Sequence, residues 1–271
     1  MTSLLITILL AQWASYPTPN IPKTSDGKPD LNAPAPRTPD GKPDLSGIWQ
    51  NGRPPGAAGG QRGQRGNAAP APPPGTPPNA SFKNVGSGMK EGLPLQQWAA
   101  DLVKKRVADN SKDNPDAHCL PMGFMQFHLH PEPRKIVQTP GAVYLIYEAN
   151  SGFRTIFTDG RSLPSKDADP WYYGYSVGKW EGDTLVVETI GFRDDIWLDI
   201  DGNPLTNAGK TIERFRRPTY GTLEIDVTID DPKAYTKPFT VRVNQNVMLN
   251  TELIEFICED RDATHYVGGN K

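Results

Sequence analysis

Two glutamates in strand-like segments are the residues best suited to acid–base chemistry. In TLVVETIGF, Glu188 alternates with apolar residues, and in KTIERFRR, Glu213 shares a strand face with Phe215. A carboxylate on the inward face of a barrel has a raised pKa unless it is paired, so either glutamate could act as a general acid or base. Arg214 would then stabilise negative charge in the transition state. A structural Glu–Arg pair between strands fits the same pattern and is the commoner arrangement.

The histidines form the second group. The segment AHCLPMGFMQFHLHPEPRK contains His118, His128 and His130, and His265 completes the set of four. Because His128 and His130 lie two residues apart, their side chains point to the same side if the segment is extended. With a third ligand from elsewhere they could hold zinc or copper. Because this ligand set is incomplete, we predict no cofactor and interpret the histidines as unligated residues of a surface loop. A divalent metal site is the alternative.

Tyrosine and tryptophan make the third group, because their rings combine stacking area with a polar tip that suits sugars and aromatic ligands. The run DADPWYYGYS places three aromatic residues in a row, and these cannot all face inward. Some of Trp171–Tyr173 are therefore expected at the mouth of a barrel, although β propensity also enriches aromatic residues in cores and rims. The expected ligand-lining residues are Tyr144, Arg154, Trp171, Tyr173 and Trp180.

Charge and motif content exclude several classes of function. The net charge is −2, from 29 Lys and Arg against 31 Asp and Glu, so no nucleic-acid partner is expected. The chain contains no Gly-rich phosphate loop, GxSxG elbow, CxxC pair or HExxH helix. The expected partner is a small molecule, without integral membrane association, and the sequence does not indicate an oligomeric state.

The pattern of elements is that of a mainly β domain with one helix. Eight short strand-like segments are separated by Gly-, Asp- and Pro-containing turns. They are AVYLIYEA, RTIFTD, YYGYSVGKWEG, TLVVETIGF, KTIERFRR, TLEIDVTIDD, FTVRVNQNV and ELIEFICED. This spacing predicts an eight-stranded antiparallel up-and-down barrel, which is wide enough for side chains or one small ligand. Upstream, LPLQQWAADLVKKRVA has helical periodicity and predicts one helix docked on the sheet.

The N-terminal part of the chain has a different composition. Residues 1–15 contain a short apolar run followed by small residues, which predicts a signal peptide and a periplasmic or secreted protein. Residues 16–90 are rich in Pro and Gly and are predicted to be extended or disordered, with a short ordered strand near 45–50. The helix and the barrel are assigned to residues 91–271.

A nine-residue sequence occurs twice just before that short strand. Residues 23–31 read KTSDGKPDL, and residues 37–45 read RTPDGKPDL. Each copy places Asp-Gly before Lys-Pro-Asp-Leu, which is typical of a turn followed by an extended dipeptide. A solenoid needs at least three repeats, so the repeated sequence is interpreted as a duplicated spacer, with ordered structure starting at the second copy.

The chain has two cysteines, Cys119 and Cys258. An even pair in an exported protein favours a disulfide, while two buried free thiols are the alternative that the residues leave open. A bridge closing so long a loop would stabilise the fold by about 4–5 kcal/mol in the chain-entropy account.

Nine segments between Arg37 and Asp260 resemble a family of uncharacterised exported bacterial proteins, found in acidobacterial and some proteobacterial genomes. They are TPDGKPDLSGIW, HCLPMG, IVQTPGAVYLIYE, FRTIFTDGR, SVGKWEGDTLVVETIGF, WLDIDGNPLT, ERFRR, VTIDDPKAYTKPF and EFICED. The resemblance implies export, a barrel of lipocalin-like character and pairing of Cys119 with Cys258, but no established activity. The segments FHLHPEPRK and PLTNAGKTIERF depart from the family pattern in their histidines.

These observations lead to one expected function and two alternatives. The expected function is binding of a small, partly apolar or glycosidic molecule by an exported barrel. The first alternative is a lyase, isomerase or hydrolase that acts on a sugar or aromatic glycoside through a buried glutamate. The second alternative is a structural or assembly protein whose barrel is filled.

Overall fold

The protein is mainly β, and nine of its strands close into one barrel. The computed structural model describes residues 16–52, 73–165, 167–256 and 258. The predicted signal peptide, most of the Pro/Gly-rich linker and His265 lie outside the described residues. Within the described residues, no helix has the length and apolarity needed to cross a bilayer.

The described residues contain eleven strands, two α-helices and two 3-10 turns. The barrel strands are β1 (Gly47–Asn51), β2 (Arg134–Gln138), β3 (Ala142–Tyr147), β4 (Phe153–Phe157), β5 (Tyr175–Glu181), β6 (Thr184–Ile190), β9 (Lys210–Thr219), β10 (Thr222–Asp230) and β11 (Phe239–Met248). A separate ribbon contains β7 (Ile196–Trp197) and β8 (Pro204–Leu205). The α-helices are α1 (Gln97–Ala108) and α2 (Phe124–Leu129), and 3-10 turns occupy Pro115–His118 and Ala149–Ser151.

The barrel corrects the predicted strand count and topology. Its order is β1-β11-β10-β9-β6-β5-β4-β3-β2, with β1 closing the ring between β2 and β11. All pairs are antiparallel except β4 and β5, which are parallel because residues 158–174 cross over between them. The predicted strand ELIEFICED is wrong over residues 252–256, which have no strand pairing. The strands β1 and β2 bring the number to nine.

Helix α2 is buried inside the barrel, where the metal hypothesis required an extended segment. All six of its residues are buried, as expected for a helix without a polar stripe. Gly123 precedes the helix, and a Cβ there would lie 2.2 Å from the Trp197 carbonyl oxygen, so only glycine fits. The Arg134 guanidinium donates to the carbonyls of His130 (2.8 Å) and Glu132 (2.9 Å) at the helix C-terminus. A cation at this end satisfies free carbonyls and complements the helix dipole.

Helix α1 is the predicted docking helix, and it packs on the outside of the molecule. Ala99 is its one buried residue. The Trp98 indole donates to the Lys233 carbonyl (2.8 Å), and the Arg106 guanidinium lies 4.0 Å from the Trp197 ring centroid. The helix is therefore held by side-chain contacts at both of its ends rather than by a wide apolar stripe.

The two copies of the repeated sequence form the same turn. In each copy the threonine N–H, of Thr24 or Thr38, donates to the lysine carbonyl four residues later at 2.9 Å. The copies differ at their last residue, because Leu45 is fully buried in the core whereas Leu31 is 42% exposed. Both copies therefore have defined turn structure, and the second is anchored in the core.

The predicted disulfide joins Cys119 to Cys258, with their Cα atoms 5.6 Å apart. It ties the 3-10 turn after α1 to the chain that follows β11. Glu252 in that chain forms an ion pair with Lys135 (2.6 Å), and the Ile254 N–H donates to Glu148 (2.9 Å). Residues 252–254 are thus fastened beside β2 and the end of β3.

Candidate functional site

Three ionisable side chains meet inside the barrel. Glu213 projects inward from β9, Arg154 projects inward from β4, and His128 reaches them from α2. The Arg154 guanidinium forms a two-pronged ion pair with both Glu213 oxygens, and its Nη1 lies 3.0 Å from Oε1. The His128 Nε2 lies 2.8 Å from the same Oε1. We call these three residues the buried triad.

Two hydroxyls complete the coordination of the arginine. Arg154 donates to Ser176 on β5 through Nε (3.1 Å) and Nη2 (3.0 Å), and to Thr189 on β6 through Nη2 (3.0 Å). Ser176 and Thr189 also bond to each other at 3.0 Å. One guanidinium therefore connects four barrel strands, β4, β5, β6 and β9.

The triad contains one cation, one anion and one neutral imidazole at neutral pH. Burial alone would raise the pKa of Glu213, but the Arg154 charge and the His128 hydrogen bond outweigh it and lower the pKa to about 2. Burial lowers the pKa of His128 despite the adjacent carboxylate. An ionised carboxylate only accepts hydrogen bonds, so His128 Nε2 carries the proton and Nδ1 keeps its lone pair.

The interior around the triad is sealed. The side chains of His128 and Glu213 have no exposed area, and that of Arg154 is 2% exposed. His128 Nδ1 has no hydrogen-bond partner among the described residues, and the Tyr147 hydroxyl faces Arg154. The Tyr147 ring stacks on Phe127 of α2, with centroids 4.4 Å apart. The triad therefore joins the strands and the helix in a water-excluded layer.

A cavity of about 380 Å³ lies outside this layer, where β4 and β5 diverge. The parallel pairing is limited to Ile156 with Ser176 and Phe157 with Val177, so the first half of β4 has no partner on its β5 side. The aromatic residues that line it are Phe153, Phe157, Trp171, Tyr172, Tyr173 and Tyr175. Arg154 and Ser176 also line it. We call this space the aromatic cavity; its size is within the usual range for small-molecule sites.

The backbone before β5 fixes the rings of the aromatic cavity. The Trp171 N–H donates to the Gly191 carbonyl (2.8 Å), and its carbonyl accepts from the Arg193 N–H (3.1 Å). Gly174 has φ +67°, and a Cβ there would lie 2.5 Å from the Thr189 methyl group. A residue other than glycine would therefore displace this segment from β6. The run that the sequence placed at a barrel mouth is held beside the gap between β4 and β5.

The rings form a connected surface with cations at its edge. Tyr175 stacks on Phe157 with centroids 5.2 Å apart and lies 5.3 Å from Trp171. The Arg161 guanidinium covers Phe157 at 3.7 Å and pairs with Asp159 at 2.6 Å. Burial, and then the neighbouring Tyr172, raise the pKa of the Tyr173 hydroxyl to about 12, so it stays protonated.

The structure brings three of the five predicted lining residues together. Arg154, Trp171 and Tyr173 line the aromatic cavity. Tyr144 lies next to it, stacked on the lining residue Phe153 with centroids 5.9 Å apart. Trp180, near the other end of β5, packs against the core and is not part of the cavity lining.

The three predicted catalytic residues lie in different environments. Glu213 is in the buried triad, whereas Glu188 is 41% exposed on the outer face and pairs with Lys210 at 2.6 Å. Arg214 is also on the outer face and pairs with Glu181 at 3.1 Å. The candidate acid–base residues therefore do not form one constellation.

The two histidines of the metal hypothesis point to different partners. His128 contacts Glu213 inside the barrel, whereas His130 follows the helix and pairs with Glu132. The extended conformation that would have placed them on one side is replaced by α2. In the part of the chain that the structure describes, no three His, Cys, Asp or Glu residues are grouped to hold a metal ion.

Several site residues carried no signal in the sequence. Ser176 and Thr189 are small strand residues that no motif distinguishes, and Tyr147 is one of nine tyrosines in an aromatic-rich chain. Each occupies an inward position of its strand, as Arg154 and Glu213 do. Polar residues at inward positions of neighbouring strands would have been the detectable pattern.

Comparison with known proteins yields no relative for this arrangement: no family model, no curated protein and no solved structure matches the chain.

Proposed function

We propose that this protein binds a neutral, ring-containing small molecule, a sugar, an aromatic compound or a glycoside that combines them, in the aromatic cavity. The observation that carries the proposal is the set of six aromatic side chains around a space of about 380 Å³. Aromatic faces stack on planar rings and on the apolar faces of sugars, while the tyrosine hydroxyls supply hydrogen bonds. Trp171 is 37% exposed and Phe153 is 52% exposed, so ring surface is open to a ligand.

The charges around the aromatic cavity favour a neutral ligand. Arg154 is neutralised by Glu213, and its remaining donors bond to Ser176 and Thr189. Arg161 at the rim is neutralised by Asp159. An anionic ligand would have to compete with these internal partners, which is unfavourable for a buried ion pair.

Binding fits the geometry better than the two alternatives. A general acid must hold its proton near neutral pH, whereas the pKa of Glu213 is about 2 and its side chain is sealed from solvent. A purely structural barrel requires no lined cavity at its surface. The triad serves binding indirectly in this account, because it holds the β4 and β5 strands that border the cavity.

We further propose that the protein works in the periplasm or as a secreted protein. The Cys119–Cys258 bridge supports this location, since disulfides persist in oxidising compartments and are rare in the cytoplasm.

The test compares two matched probes, phenyl β-glucoside and phenyl β-glucuronide, which differ in one carboxylate. Each is titrated into the protein while tryptophan fluorescence is followed. The glucoside should bind at least about tenfold more tightly than the glucuronide, because the carboxylate must be desolvated without a free cation. Equal binding of both probes, or tighter binding of the glucuronide, would contradict the proposed neutral-ligand site.

A further inference from the structure

A larger cavity, of about 620 Å³, lies where residues 16–20 pack over β1 and the ends of β9 and β11. Its walls are largely apolar and include Tyr16, Ile48, Tyr220 and Met248. It shares no lining residue with the aromatic cavity. Thr18 and Asn250 exchange two hydrogen bonds of 3.1 and 2.8 Å, which fix the N-terminal wall over this space. We call it the N-terminal cavity.

Arg217 is the cation of the N-terminal cavity that forms no salt bridge with a described residue, and Asp44 is a carboxylate of the same lining. Its side chain is buried, and it donates to the backbone carbonyls of Asp44, Ser46 and Tyr220. It forms no salt bridge with a carboxylate of the described residues, although the Asp44 carboxylate is close enough to favour its charge. Its Nε–H has no acceptor among the described residues. The nearby Asp44 carboxylate instead accepts the Ser46 N–H at 2.9 Å.

The guanidinium remains charged, since burial lowers the pKa of Arg217 only to about 10. It lies between two rings, 4.8 Å from the Trp49 centroid and 5.2 Å from the Tyr220 centroid. Neutral carbonyls and aromatic faces stabilise the cation but do not cancel its charge. At the edge of the cavity, Lys135 is already paired with Glu252 at 2.6 Å.

We propose that the N-terminal cavity binds a small, largely apolar carboxylate whose charged end pairs with Arg217. A ligand carboxylate would give this guanidinium the direct ion pair that it lacks, and hydrogen bonds between two ions are stronger than those to carbonyls. The apolar remainder of the ligand fits the walls formed by Ile48, Tyr220 and Met248. This site would be independent of the neutral-ligand site at the β4–β5 gap.

The probes are sodium octanoate and 1-octanol, which have the same chain and differ in charge. Isothermal titration calorimetry on the full chain should detect octanoate binding, with octanol weaker by about tenfold or more. Equal affinities, or no octanoate binding at millimolar concentration, would overturn the proposal. Neither result depends on the phenyl glucoside titration, so the two sites succeed or fail separately.

Two variants locate the octanoate. Arg217→Gln should lower its affinity by about tenfold or more, which follows from loss of the ion pair. Because Arg217 also holds the Asp44 and Ser46 backbone, Met248→Trp provides a second test, filling the cavity while leaving that cation in place. Ile254→Trp, at a residue that is 73% exposed and outside this cavity, is the matched control. Wild-type octanoate affinity in Met248→Trp would overturn the proposal.

Discussion

Arg154 lies between the buried triad and the aromatic cavity, and the side chains on its two sides differ in their internal contacts. Behind Arg154, the Glu213 carboxylate and two hydroxyls are committed to internal hydrogen bonds. In front of it, the rings of Phe153 and Trp171 keep exposed surface. Saturated polar groups fix a conformation, whereas exposed rings are free to bind. We therefore assign the buried charges of this barrel to holding its strands together, and we expect recognition at the exposed rings.

The largest expected effect comes from removing the Glu213 carboxylate from the buried triad. Glu213→Gln leaves the Arg154 charge buried without a counter-ion, which should lower the free energy of unfolding by about 3–5 kcal/mol. Urea denaturation followed by circular dichroism measures the change.

The double variant Arg154→Met/Glu213→Leu is its control, because it removes both charges together. It should be less destabilised than Glu213→Gln alone. If Glu213→Gln lowers the free energy of unfolding by less than about 1 kcal/mol, the triad does not stabilise the barrel.

Acidification should lower the free energy of unfolding in two stages. Protonation of histidines favours the unfolded chain first, since the folded pKa values of His128 and His130 are lowered below 6.5. The Glu213 contribution is present above its unfolded pKa of 4.5 and is lost as the pH falls towards about 2. That second stage amounts to about 3 kcal/mol. Unfolding free energies measured from pH 8 to pH 3 should therefore fall from about pH 7 downwards, with about 2 kcal/mol of the Glu213 contribution lost by pH 3. His128→Gln should reduce the fall in the first stage. A constant stability across this range would contradict the assigned charge states.

Removing a ring from the aromatic cavity should weaken ligand binding and leave the free energy of unfolding nearly unchanged. Trp171→Ala is expected to weaken phenyl β-glucoside binding by about tenfold, because stacking area is lost. Its unfolding free energy should change by less than about 1 kcal/mol, because the ring is 37% exposed. Trp98→Ala, at an exposed tryptophan on α1, is the matched control for the fluorescence titration.

The smallest effect is expected at the other predicted glutamate. Glu188→Gln removes an exposed ion pair with Lys210, which should change the unfolding free energy by less than about 0.5 kcal/mol. Ligand affinity should also stay at the wild-type value. A catalytic or binding defect in Glu188→Gln would mean that chemistry occurs on the outer face of β6.

The two glutamates show where sequence patterns stop being informative. Both faces of the Leu185–Phe192 segment are largely apolar, so alternation alone does not decide whether Glu188 faces into the barrel. The pairing of β6 with β9 decides it: Val187 lies opposite Glu213 and Glu188 lies opposite Ile212. Val187 and Glu213 are fully buried, so they share the inward face. Register between strands is a long-range property that one segment does not encode.

The errors in the fold have similar causes. Seven of the eight predicted strands are barrel strands, because their alternation and turns are local signals. The missed β2 is short and begins with Arg134 and Lys135, and β1 lies far from the other strands in sequence. Helix α2 has six buried residues and lacks the polar face by which amphipathic helices are recognised. Its position depends on the barrel that surrounds it.

Native mass spectrometry with phenyl β-glucoside tests whether the aromatic cavity is the ligand site. Wild-type protein and the Trp171→Ala variant are compared at the same ligand concentrations, and each is measured again after denaturation. We predict a 1:1 complex of the wild type that is lost on denaturation and is about tenfold less populated in the variant at limiting ligand. Equal occupancy in both proteins, or no complex with the wild type, would contradict it.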